Sequence, residues 1–338
     1  MITDLFFATS GIESATIAGA IPPACRRESS SEGVVTAEDG EILLELPEWH
    51  PRVPARHLVP SLTALTEVPY TLRFELSAWA GGTWSPWVAT VTLGPGAFAG
   101  LPAAAGPLTC DTDVYTATAP LERLRLRVRL GGPGVPALAG TPWMATLSAC
   151  DLAPLVPGPT AVTVPRLSVP ALTQLDAPPE IALRICSPTS LAMVLAYWGA
   201  PVSMVSLAHE VFHPETDCYG VWPAAIRAAG RHGVPGYLLR FPDWDSAAWC
   251  LDRGLPIIAS VGYGAGELTG APLGETSGHL IVLTGCDRTH VFVNDPVAPT
   301  AREVPRPYRL DEINRAWLAR TGVGYVLFGG ESRGEVGG

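Results

Sequence analysis

Residues 185–199 read Ile-Cys-Ser-Pro-Thr-Ser-Leu-Ala-Met-Val-Leu-Ala-Tyr-Trp-Gly. Ser187 is a good helix N-cap and Pro188 suits a first helical position. Leu191, Val194, Leu195 and Trp198 then recur at helical spacing until Gly199 stops the run. This reading sets Cys186 at the positive end of a helix, where unpaired N–H groups and the helix dipole favour a thiolate. A cysteine ahead of a helix is more often a small buried residue than a nucleophile. The reading therefore turns on whether the chain also supplies a base and a group to orient it.

Gly278-His-Leu-Ile-Val-Leu-Thr-Gly285 is a near-continuous apolar strand, followed by Cys286-Asp-Arg-Thr289 and by His290-Val-Phe-Val-Asn-Asp-Pro296. The pattern predicts a hairpin. If its turn is centred on Asp287, His279 and Asp295 are cross-strand neighbours about 5 Å apart at Cβ, within reach of a carboxylate–imidazole hydrogen bond. A two-residue loop at Asp287-Arg288 would instead set His279 opposite Pro296. Asn294 is expected to serve the turn ahead of Pro296 or to support the histidine. The glycine-rich stretch from Tyr263 to Gly278 suits a flap or an ordinary long loop.

The order of a glutamine, Gln174, then Cys186-x-Pro188-x-Ser190 with Val194-Leu195-x-Tyr197-x-Gly199, then Gly278-His279, then Asn294-Asp295-Pro296 resembles the family-thirty-nine-like cysteine peptidases. These are relatives of the bacteriocin leader peptidases and have a papain-like fold. Tyr219-Gly-Val-Trp-Pro223, Gly254-Leu-Pro-Ile-Ile258 and Tyr308-Arg-Leu-Asp-Glu-Ile-Asn-Arg-Ala-Trp317 extend the resemblance over about 160 residues of the second half. It implies Cys186 as nucleophile, His279 as general base and then acid, and Asp295 as the group that holds the imidazole tautomer. Gln174 would join the Cys186 backbone N–H in an oxyanion hole. Ser187 stands where the family most often has glycine, and the gap from Gln174 to Cys186 is longer than in the leader peptidases.

His209-Glu210-Val-Phe-His213 matches the zinc peptidase pattern His-Glu-x-x-His, which needs both histidines on one continuous helix. Pro214 follows at once and pushes His213 away from helical angles. No second helix downstream offers a third ligand, and Glu215 and Asp217 lie in the adjoining loop, so a zinc centre is the weaker reading and no metal or other cofactor is expected.

The first part reads as β. In Arg123-Leu-Arg-Leu-Arg-Val-Arg-Leu130 four apolar residues face one way and four arginines the other, the period of a half-buried strand. Ile42–Leu46, Tyr70–Trp79, Val88–Leu93 and Trp143–Leu147 add short strands, and Gly81-Gly82 before Thr83 signals a hairpin. Trp79, Trp84 and Trp87 would line a sugar- or peptide-binding surface or, more plainly, fill the sheet–sheet core or the domain interface. Prolines repeated through 152–170 forbid helix and favour an extended connector. The expected organisation is α+β: an all-β, sandwich-like domain at 1–151, a linker at 152–170, a papain-like domain of helices on an antiparallel sheet at 171–330, and a frayed tail at 331–338.

Two domains fit the 338 residues, of which 47% are hydrophobic. A net charge of −10 with no basic run argues against a nucleic-acid partner. All 22 basic residues are arginine, which excludes Schiff-base lysine chemistry and a phosphate-loop lysine. Seven scattered cysteines without a Cys-x-x-Cys pair suggest neither a zinc knuckle nor a disulfide framework. The start, Met1-Ile-Thr-Asp-Leu-Phe-Phe7, lacks the basic region of a signal peptide, and no apolar run nears the ~18 residues of a membrane span. The chain thus reads as cytoplasmic unless an upstream segment is missing. The function expected is a thiol peptidase or amide hydrolase acting on a peptide or other amide. The alternative is a silent peptide- or glycan-binding protein on the same fold.

Overall fold

The computed structural model describes residues 1–28, 33–38, 40–132, 140–153 and 162–329. Part of the proline-rich connector, 154–161, and the tail expected at 331–338 lie outside the described residues. Among the described residues the content is mixed α and β, with three sheets whose strand pairs are antiparallel except for one.

The first sheet runs in the order β2 (Arg26–Glu28), β1 (Thr3–Ser10), β13 (Trp143–Cys150), β5 (Ala55–Ala64), β11 (Val114–Leu121), β10 (Leu108–Asp111), β9 (Ala104–Ala105). Only β1 and β2 pair in parallel. The second runs β3 (Val34–Glu38), β4 (Glu41–Glu45), β12 (Leu124–Gly131), β6 (Thr71–Ala80), β7 (Thr83–Trp84), with β8 (Val88–Ala89) also beside β6. The arginine strand behaves as its alternation predicts: Leu124, Leu126, Val128 and Leu130 are buried in one core with Phe6, Leu58, Phe74 and Leu147. The hairpin at Gly81-Gly82 is present, both glycines having positive φ, and sets Trp79 opposite Trp84. The strand expected at Val88–Leu93 is confined to Val88–Ala89, because Leu93 instead makes an isolated bridge to Leu72.

The tryptophans do not fill the core. They are half-buried and interleave with arginines: Arg123 lies 4.4 Å from the Trp79 ring, Arg125 3.8 Å from Trp84 and Arg127 4.1 Å from Trp87. Beside them Glu75, fully buried, accepts from Arg73, Arg127 and Arg129, so the charge is satisfied as burial demands.

The third sheet belongs to the second half: β14 (Gly236–Arg240), β19 (Val323–Leu327), β15 (Ile257–Tyr263), β16 (Thr276–Cys286), β17 (His290–Asn294), β18 (Pro305–Arg309). The helices are α1 (Ser14–Ala20), α2 (Pro179–Ala182), α3 (Cys186–Tyr197), α4 (Met204–Val211), α5 (Trp222–Arg231), α6 (Trp244–Asp252) and α7 (Leu310–Ile313), the last running on into a π-turn, Asn314–Leu318. Leu280 and Val282 of β16 share a core with Leu191 and Val194 of α3. Ile281 and Leu283 share the opposite one with Ala247 and Leu251 of α6. A strand buried on both faces reads as a continuous apolar run, which is the sequence of β16.

β14 is an edge strand, and edges expose unpaired N–H groups. Here Leu238 N–H donates to Ser61 Oγ at 3.1 Å and Arg240 N–H to Ser148 Oγ at 3.0 Å, so the first sheet covers the edge of the third. That second buried face explains why β5 and β13 are buried almost throughout and show no alternation. Among the connector residues described, Val164 and Leu167 donate to Cys286 and Thr284, laying the chain along β16. No helix of the described residues is long and apolar enough to cross a membrane.

Candidate active site

Cys186 opens α3. The helix starts two residues before the expected point: Ile185, not Ser187, is the residue ahead of its first turn, and Ser187 makes no capping bond. Ser187 is instead buried inside the first turn with Oγ 3.4 Å from the Tyr325 hydroxyl. Pro188 is tolerated because N–H groups of a first turn have no intrahelical partner to lose. The Cys186 side chain is half-buried, as is Cys218, whereas the other five cysteines are buried; all seven are free.

His279 and Asp295 meet, by a different route from the expected one. The loop is Arg288-Thr289, closed by Asp287 N–H donating to the His290 carbonyl, and a bulge between Leu283 and Gly285 then takes back one position, so Asn294 faces Val282, Asp295 lies diagonally from His279, and His279 pairs across its other edge with Val261. Diagonal neighbours on one face still reach each other through longer side chains. His279 Nε2 lies 2.8 Å from Asp295 Oδ1, and both residues are buried. The other ring nitrogen is free of Asp295, and His279 is close enough to Cys186 for each to shift the other's proton affinity.

Two further donors reach Asp295 and were not read from the sequence. Tyr308 donates its hydroxyl to Oδ2 at 2.6 Å, and Val297 N–H donates to Oδ1 at 3.2 Å. Tyr308 sits opposite Val291 on the next strand, so only the pairing of β17 with β18 reveals it.

The electrostatics follow from this enclosure. Burial presses hardest toward a neutral His279, but the charge and hydrogen bond of Asp295, together with Cys186, overcome it and raise the imidazole to about 10. Burial likewise favours a neutral Cys186 thiol. The hydrogen bond and charge of His279, with the backbone N–H groups of Leu280 and Ser187, outweigh it and hold the thiol below its ordinary value. Asp295 is depressed in spite of burial by the charge and hydrogen bond of His279, then by Tyr308 and Val297.

Gln174 is buried in a short 3₁₀ turn, Gln174–Asp176. Its backbone N–H donates to the Pro296 carbonyl at 2.7 Å, one residue past Asp295, and its Nε2 donates to the Ala182 carbonyl at 2.7 Å. Its Oε1 is buried with no partner. Asn294 serves neither the turn nor the histidine: its Nδ2 donates to the carbonyls of Val169 and Pro170, at 3.1 and 3.3 Å, pinning the connector.

Residues 166–325 match the sequence model of the Peptidase_C39 like family. The second half is a C39-like peptidase domain. No curated protein matches the chain. A crystal structure of a candidate C39-like peptidase from Bacillus anthracis is similar to it with 18% identity and a TM-score of 0.39, over 51% of this chain and all of that one. The matched stretch of the C39-like domain holds Gln174, Cys186, His279 and Asp295.

The His-Glu-x-x-His stretch also lies in the C39-like domain and is not a helical pair. α4 ends at Val211, so His209 is in its last turn and His213 beyond it. Glu210 pairs with Arg231 and His232, and His213 bonds Thr216 and the Thr92 carbonyl. Among the described residues no group of three or more His, Cys, Asp or Glu side chains is placed to hold a metal ion. The glycine-rich loop ahead of β16 is fastened: Thr269 donates twice to Glu312, and Arg306 donates to the Gly270 carbonyl. Where this loop rejoins the sheet, Tyr263, Gly264, Glu275, Thr276, Ser277 and Arg320 line an open polar pocket of about 440 Å³.

Proposed function

We propose that the protein is a cysteine peptidase in which Cys186, His279 and Asp295 act as a triad. The observation that carries this reading is the buried His279–Asp295 contact at 2.8 Å, with Cys186 at a helix start and coupled electrostatically to the same imidazole. A thiolate there attacks the carbonyl carbon of a peptide or related amide, giving a tetrahedral oxyanion. His279, raised enough to carry a proton at neutral pH, passes it to the leaving amine as the C–N bond breaks. The resulting thioester is hydrolysed by a water that gives its proton back to the imidazole. Asp295 keeps the ring oriented throughout.

Gln174 is the proposed side-chain donor to the oxyanion. One of its two amide hydrogens is taken by Ala182, which fixes the side chain and leaves the second for the site. The domain reading is a papain-like peptidase at 171–330, a connector at 152–170 and a β-sandwich at 1–151.

The test is a peptide library digested with the wild type and with Cys186→Ala. Cleavage by the wild type alone supports the reading, and equal absence of cleavage by both overturns it.

A further inference from the structure

Asp113 and Thr92 lie outside the C39-like match, in the first half of the chain, on backbone segments joined by the hydrogen bond from Val91 N–H to the Thr112 carbonyl. Each grips one end of the loop that connects α4 to α5. At the near end His213, itself buried, places Nε2 3.2 Å from the Thr92 carbonyl, while its Nδ1 faces Thr216. At the far end the buried carboxylate of Asp113 accepts the Trp222 N–H, at the start of α5, with a distance of 2.7 Å. Asp113 follows Thr112, a non-glycine residue held at φ 57° by the tight turn between β10 and β11.

The middle of the same loop is clasped to the candidate nucleophile's own segment. Arg184, two residues before Cys186, donates to the Asp217 carbonyl at 2.5 Å, pairs with the Asp217 carboxylate at 2.8 Å and lies 5.2 Å from the Tyr219 ring centre. Asp217 has φ 47°. The contacts thus run without a break from Thr92 and Asp113, through residues 213–222, to Arg184.

We infer that Asp113 is a positioning residue of the peptidase site: the first half fixes the 213–222 loop as a wall beside Cys186, against which a peptide substrate is seated. This rests on the cysteine peptidase reading. A wall acts on the seating of a peptide and not on the reactivity of the thiol, and the two can be measured apart. Burial lifts the Asp113 carboxyl to about 7, and asparagine, which keeps an acceptor oxygen for the Trp222 N–H without the charge, is the conservative replacement.

The experiment compares Cys186 alkylation by iodoacetamide, which needs no wall, with alkylation by a set of dipeptidyl chloromethyl ketones, in wild type, Asp113→Ala, Asp113→Asn and His213→Ala. Losing one gripping hydrogen bond is expected to slow the best peptidyl ketone about tenfold in Asp113→Ala, with the iodoacetamide rate unchanged and asparagine restoring the wild-type rate. His213→Ala, which frees the other end, should match Asp113→Ala. The inference is overturned if both alanine variants keep the wild-type ketone rate, or if the two reagents slow equally. Slow iodoacetamide reaction of Cys186 in the folded wild type would instead refute the peptidase reading itself, and this inference with it.

Discussion

Tyr308 and His279 hold opposite oxygens of the Asp295 carboxylate, at 2.6 and 2.8 Å. A buried carboxylate is tolerable only when its oxygens find donors. The tyrosine is thus part of what lets Asp295 stay ionised beneath the histidine. Tyr308→Phe removes one donor without changing the ring and should cost about 1.5–3 kcal/mol, the worth of a hydrogen bond to a charged group. Urea unfolding at pH 7 measures it, and an unchanged midpoint would show that the bond contributes nothing.

The pH dependence of stability carries a definite sign. His279 is raised to about 10 in the folded protein, so protonation favours the folded state. Its contribution is full below the unfolded value of about 6.5 and is lost as pH rises through about 10. The difference in unfolding free energy between wild type and His279→Gln, followed from pH 6 to pH 10.5, should therefore shrink. A difference that stays flat contradicts the assignment of the raised value to this residue.

Much of this site was legible in the sequence, and what was missed has a physical reason. The apolar run of β16 and the acid sixteen residues on announced a hairpin joining His279 to Asp295. The register was not readable, because apolar residues flank the turn without fixing its centre, which falls at Arg288-Thr289 and not at Asp287, and because the bulge between Leu283 and Gly285 leaves no mark in hydrophobic periodicity. Ser187 looked like a cap, yet its environment is decided by Tyr325 from the far end of the chain. Asn294 looked like a turn residue, yet it bonds carbonyls more than a hundred positions away. The arginine strand at 124–131 was plain because one of its faces meets solvent. β5 and β13 were hidden or half seen because both of their faces are covered.

That double covering predicts that the halves share stability. Ser148→Ala removes the acceptor of the Arg240 N–H on the β14 edge and leaves a buried donor unpaired. The expected cost is about 1–3 kcal/mol, read by denaturant unfolding followed at a probe in each half. A loss seen only by the first-half probe would mean that the edge is not held this way.

Close approach of the connector to β16 makes a steric prediction. A Cβ at Gly285 would lie 2.9 Å from both the Arg166 Cα and the Pro165 carbonyl oxygen. Gly285→Ala should accordingly cost about 1–3 kcal/mol through overpacking, measurable as a lowered thermal midpoint. Wild-type stability in that variant would show that the connector yields freely.

The central claim is that His279 holds Cys186 as a thiolate, and the alkylation rate of Cys186 by iodoacetamide against pH, resolved from the other cysteines by peptide mass spectrometry, measures it directly. The account predicts fast reaction of Cys186 at pH 6–7, well below the ordinary thiol value of about 8.5, and loss of that reaction in a folded His279→Ala variant. Equal rates for wild type and variant across the whole pH range would contradict it.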